Sequence, residues 1–219
     1  MKKMAFSALL ILFLPAVVFA QEKAEAPVWN VGDKWVFDHG GPMEVIGSDT
    51  QGYSVKFSGG MFARDASGIA VFDRSTLNVK CMLGKDRPEE YRGFRKKILN
   101  FPLTLGKQWK GFLQRDEQGS SDVAAMVPVE YPETFRVLGW EEVEVRAGKF
   151  KAVKLEYKIH ANVRGAIGWI SGNEHKAWYW YSPEVKNFVK CQYEKGYIEG
   201  YSKKAARENW ELVSYELKK

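Results

Sequence analysis

The sequence predicts a mainly β protein, a meander of short antiparallel strands with little helix. Three observations carry this. Apolar and polar residues alternate with period two over most of the chain, the signature of half-buried strands. Aromatic side chains, which fit a pleated surface, make up 14 % of the 219 residues and include eight Trp. Turn chemistry cuts the alternating runs at short intervals, at Gly40-Gly41-Pro42, Asp49-Thr50-Gln51-Gly52, Gly59-Gly60 and Asp65-Ala66-Ser67-Gly68.

An export signal precedes the first strand. Lys2 and Lys3 form a positive start, Met4 to Phe19 is an apolar run broken by Pro15, and Val18-Phe19-Ala20 places small residues at the −3 and −1 positions of a cleavage site. The run is short for a membrane span and polar residues follow at once. The expected mature chain starts at Gln21 and is soluble, and the periplasm is its expected compartment. It has no second segment of spanning length and no Cys at the cleavage site for acylation. Residues 21–27 read as a linker ending at Pro27, and residues 28–219 as a single β-rich domain.

Within that domain Trp35, Phe37 and His39 alternate with Lys34, Val36 and Asp38, then Tyr53, Val55 and Phe57 with Ser54, Lys56 and Ser58. Short strands are expected near Met61 to Arg64 and Ile69 to Arg74. Residues 86–99 fit two patterns: a capped helix with Tyr91, Phe94 and Ile98 on one face, or a strand. The clearest hairpin spans Val143 to Ile159 and turns at Gly148-Lys149, with polar residues on one face and apolar on the other. Residues 163–173 hold three Gly and read as an irregular loop; strands follow near 174–181, 186–195 and 208–217.

Composition excludes more than it assigns. The signal carries two of the 33 Lys and Arg residues and no acidic residue, so its removal lowers the net charge from +6 to +4. That mild basic balance in an exported protein argues against nucleic acid and leaves either a solvated surface that happens to be basic or a weak pull toward anionic lipid or cell-wall polymer. His39, His160 and His175 are far apart in sequence and no Ser sits in a Gly-x-Ser-x-Gly elbow. Glu89-Glu90 and Glu141-Glu142 are adjacent, so on strands each pair splits between two faces and makes no acid–base couple. Ala147-Gly148-Lys149-Phe150 offers too few free N–H groups for a phosphate loop and reads as a hairpin turn. Metal, cofactor and catalytic residues are therefore not expected.

Cys81 and Cys191 both fall on the apolar phase of their strands. Either a cross-core disulfide or two separate buried thiols satisfies that pattern. The aromatic ladder Trp178-Tyr179-Trp180-Tyr181 puts both Trp on one face and both Tyr on the other. Either this is a central strand covered on both sides, or one pair lines an apolar groove for a lipid or a partner.

Gly32-Asp33-Lys34-Trp35 and Gly106-Lys107-Gln108-Trp109 share a Gly-x-x-Trp echo, each after an aliphatic residue; two similar halves with a break near 100–106 fit it. Together with Phe101-Pro102-Leu103-Thr104-Leu105, Val143 to Leu155, Ala177 to Val185 and Trp210 to Tyr215, these segments resemble the TapB-like exported proteins of bacteria, whose function is unknown. The resemblance implies a curved antiparallel sheet, a half-barrel similar to periplasmic lipoprotein carriers. It departs at Lys186-Asn187, where the pattern has Gly and Asn187 is expected to take the left-handed conformation. The function expected is that of a non-enzymatic envelope protein that binds an apolar ligand such as an acyl chain in the curved sheet. The alternative is a structural or protein-interaction module of the envelope. A hydrolase of envelope polymers lacks any signature.

Overall fold

The computed structural model describes residues 22–39, 41–50, 52–58, 67–84, 87–91, 97–115, 129–160, 163–165, 168–170, 174–195 and 209–219. Among them there are strands and no helix. The strands are β1 (Lys23–Ala24), β2 (Lys34–Phe37), β3 (Gly41–Ser48), β4 (Tyr53–Ser58), β5 (Ser67–Phe72), β6 (Val79–Gly84), β7 (Arg87–Tyr91), β8 (Leu103–Thr104), β9 (Gln108–Arg115), β10 (Val129–Val145), β11 (Gly148–His160), β12 (Val163–Gly165), β13 (Gly168–Ile170), β14 (Glu174–Ser182), β15 (Asn187–Tyr193) and β16 (Trp210–Glu216). Twelve form one sheet in the order β7-β6-β5-β4-β3-β2-β16-β15-β14-β11-β10-β9, and β1–β8 and β12–β13 are separate pairs. The sheet is antiparallel throughout and not closed into a barrel.

Period-two alternation builds its buried face. Tyr53, Val55 and Phe57 of β4 are buried, with Ser54, Lys56 and Ser58 between them. Across strands the buried residues line up in register: Trp35, Met43 and Phe57 in one row, Val137, Leu155 and Tyr179 in another. β16 joins the two blocks, with Trp210 opposite Cys191 and Leu212 opposite Phe37.

The structure changes several sequence expectations. Gly41-Pro42 is the start of β3 rather than turn; Pro42 sits near the strand's beginning, where a missing donor costs least. Arg87–Tyr91 is strand, so the helical pattern does not hold there. Residues 163–165 and 168–170 form a small hairpin within the expected loop. β10 begins at Val129, because Phe135 and Val137 continue the alternation beyond a bulge at Leu138. Lys186, not Asn187, takes the left-handed conformation (φ 59°). Asn187 instead opens β15, its side-chain oxygen accepting the Phe188 N–H at 2.8 Å. The expected strand at Met61 to Arg64 lies outside the described residues.

The first six strands of the sheet (β2–β7) and the other six (β9–β11, β14–β16) repeat one another. In the first, Gly32 (φ 91°) donates to the Val45 carbonyl (2.7 Å) and Val45 donates to the Asp33 carbonyl (2.9 Å). In the second, Gly106 (φ 78°) donates to Val137 (3.0 Å) and Val137 donates to Lys107 (2.9 Å). One bulge follows Val45 at Ile46 and the other follows Val137 at Leu138. Trp35 faces Met43 as Trp109 faces Phe135. Further on, the β5–β6 and β14–β15 turns each contain a left-handed non-Gly residue, Leu77 and Lys186, followed by Asn78 and Asn187.

The main departure from the repeat is the β10–β11 hairpin, which runs well past its bulge whereas β3–β4 turns soon after its own. Its tip reaches β16, three strands away in the sheet order: Ala147 donates to the Leu212 carbonyl (3.0 Å), and Arg146 pairs with Glu211 (3.1 Å) and Asp38 (3.5 Å). Phe150 of this hairpin packs edge-on against Tyr215 (5.8 Å). The twist of long strands allows that crossing, so the hairpin folds over the outer side of β14–β15.

Candidate functional site

The aromatic strand β14 lies at the centre of the second block, between β11 and β15. Register splits its four rings as the alternation requires: Tyr179 and Tyr181 pair with Leu155 and Val153, Trp178 and Trp180 with Glu156 and Lys154. On the inner face Tyr179 is packed by Phe188 (5.5 Å), Tyr157 (6.3 Å) and Trp210 (6.4 Å), and Tyr181 by Phe101 (5.3 Å) and Phe188 (6.0 Å). The Tyr181 hydroxyl makes no hydrogen bond among the described residues, and burial holds its pKa well above the ordinary phenol value.

The outer face is a charged frame around indole. The Trp180 N–H donates to Glu141 Oε1 (2.6 Å), which also pairs with Lys154 (3.3 Å). Lys154 and Lys190 stand over the Trp180 ring at 4.8 and 5.3 Å, a cation–π arrangement. Trp180 is 4 % exposed, as closed as Tyr179 at 4 % and Tyr181 at 0 %, whereas Trp178 is only partly buried. Around Trp178, Lys158 pairs with Glu156 (3.8 Å) and Glu174 (3.6 Å), and Lys176 with Glu174 (3.5 Å). Such half-wet pairs each contribute little. Three of the four predicted site rings are thus covered by the chain itself.

The other candidates do not converge. Cys81 and Cys191 are thiols, not halves of a disulfide. A bulge in β6 sets Val79 opposite Phe72 and Cys81 opposite Val71, which moves Cys81 off the buried phase. Cys191 faces inward opposite Tyr179. The two thiols therefore lie on opposite faces, with five strands between β6 and β15. His160 and His175 occupy adjacent register positions on β11 and β14, opposite Glu174 and Ile159. His39 is exposed at the β2–β3 turn. Glu141 holds Trp180 while Glu142 is exposed opposite Lys151.

Two buried polar groups escaped the sequence reading. Asp33 is 0 % exposed and ties three segments together. It accepts the backbone N–H of Asn30 (2.9 Å) and of Lys218 (2.7 Å) and lies 3.5 Å from the Lys186 ammonium. Two indoles reinforce the same junction: Trp29 donates to the Lys186 carbonyl (2.8 Å) and Trp35 to Val185 (2.7 Å). The second group is Glu133, 1 % exposed, which accepts the Tyr157 hydroxyl at 2.5 Å. Its signal was legible, because 133, 135 and 137 share the apolar phase of β10. By the repeat, Gly111, Glu133 and Tyr157 occupy the positions that Phe37, Gly41 and Phe57 hold in the first block. Gly111 leaves room for the carboxylate, since a Cβ there would lie 3.2 Å from Glu133 Oε2.

No family model matches the chain, and no curated protein matches it. Among solved structures it is similar to a Bacteroides fragilis protein described as a candidate exported protein with a YmcC-like fold. That likeness has 14 % identity, covers 88 % of this chain and 99 % of the other, and has a TM-score of 0.41.

Proposed function

We propose that this is a non-enzymatic exported protein of the bacterial envelope, of the TapB-like kind, in which the twelve-stranded sheet is an interaction scaffold. The observation that carries the reading is the closure of the aromatic strand: Tyr179, Trp180 and Tyr181 are at most 4 % exposed, and residues of the same chain cover them on both faces. Aromatic area already buried this way has no surface left for an acyl chain. Its role is to hold β11, β14 and β15 rigid. The charged outer frame fits a wet surface better than a reaction centre.

A second reading keeps one observation in its favour. Trp178 is half buried, so an apolar ligand could reach one ring of the ladder. Fractionation of cells expressing the full chain tests export: the scaffold reading expects the protein in the periplasmic or extracellular fraction, shortened at Ala20. Titration of that exported protein with oleate, read by Trp fluorescence, separates the two. The scaffold reading expects unchanged emission; quenching that disappears in Trp178→Ala establishes the ligand reading instead.

A further inference from the structure

We draw no further inference here: the strongest candidate, the exposed aliphatic patch at each bulge of the repeat, Val31 with Ile46 and Leu105 with Leu138, is one for which nothing in the structure shows what covers it.

Discussion

Removing the Asp33 carboxylate should destabilise the whole sheet, because this side chain holds its central seam from three sides. Its Oδ2 accepts Asn30 N–H at 2.9 Å, its Oδ1 accepts Lys218 N–H at 2.7 Å, and Lys186 Nζ is 3.5 Å away. Asn30 leads into β2, Lys218 follows β16, and Lys186 closes the β14–β15 turn. A hydrogen bond to a charged group contributes about 1.5–3 kcal/mol, and a donor stranded by loss of its acceptor costs about 1–3 kcal/mol. The Lys186 pair adds little, at 3.5 Å with Lys186 side-chain exposure of 23 %. Asp33→Ala should therefore lower the unfolding free energy by about 3–5 kcal/mol. Asp33→Asn should lose about 2–4 kcal/mol, since an amide restores one acceptor and turns a donor toward the other N–H. Lys186→Met should change stability by less than about 1 kcal/mol. Urea titration of the exported chain, followed by Trp emission, reads all three, because Trp29 and Trp35 donate to the neighbouring turn. An Asp33→Ala loss under about 1 kcal/mol, with Asp33→Asn equal to wild type, refutes the reasoning.

Two further outcomes can be measured on the same preparation. Tyr157→Phe removes the hydroxyl that Glu133 accepts at 2.5 Å and should cost about 1.5–3 kcal/mol, whereas a change under about 0.5 kcal/mol would mean that the layer tolerates phenyl as Phe57 does in the first block. Asp73 Oδ1 accepts the Ser75 hydroxyl (2.6 Å), the Ser75 and Thr76 N–H groups (2.9 and 3.0 Å) and the Thr76 hydroxyl (3.1 Å). The Ser75 hydroxyl foremost holds its carboxyl below the ordinary value, against a counteracting desolvation. A carboxylate whose folded pKa is depressed contributes fully above its unfolded pKa and loses that contribution as pH falls through the folded one. Asp73→Ala should thus cost about 1 kcal/mol at neutral pH, with the gap to wild type closing as acid protonates the group; a gap that stays constant into strong acid would refute this assignment.

By itself the sequence determined the class of structure and much of its local grammar. Alternation of apolar and polar residues is a local property with period two, so the strands around Trp35, Tyr53, Val153 and Trp178 could be read from neighbours alone, together with the faces of the aromatic ladder. Gly32 and Gly106 were likewise visible, because a left-handed turn before a strand restricts residue choice. What tertiary structure decided is whatever depends on register between distant strands. A one-residue bulge beside Cys81 reverses the face of the side chain, and no pattern within the strand announces it. Whether Trp180 is open or covered rests on Glu141, Lys154 and Lys190, which arrive from three other strands. Asp33 looks like a solvated turn residue until Lys218 closes over it, 185 positions further along the chain. The exposed aliphatics at the two bulges were also beyond reach, because Val31 is brought near Ile46, and Leu105 near Leu138, only once Gly32 and Gly106 have bonded to Val45 and Val137, which come later in the chain. Local composition sets which conformations a segment prefers; burial, charge pairing and exposed patches are set by the neighbours that folding brings to it.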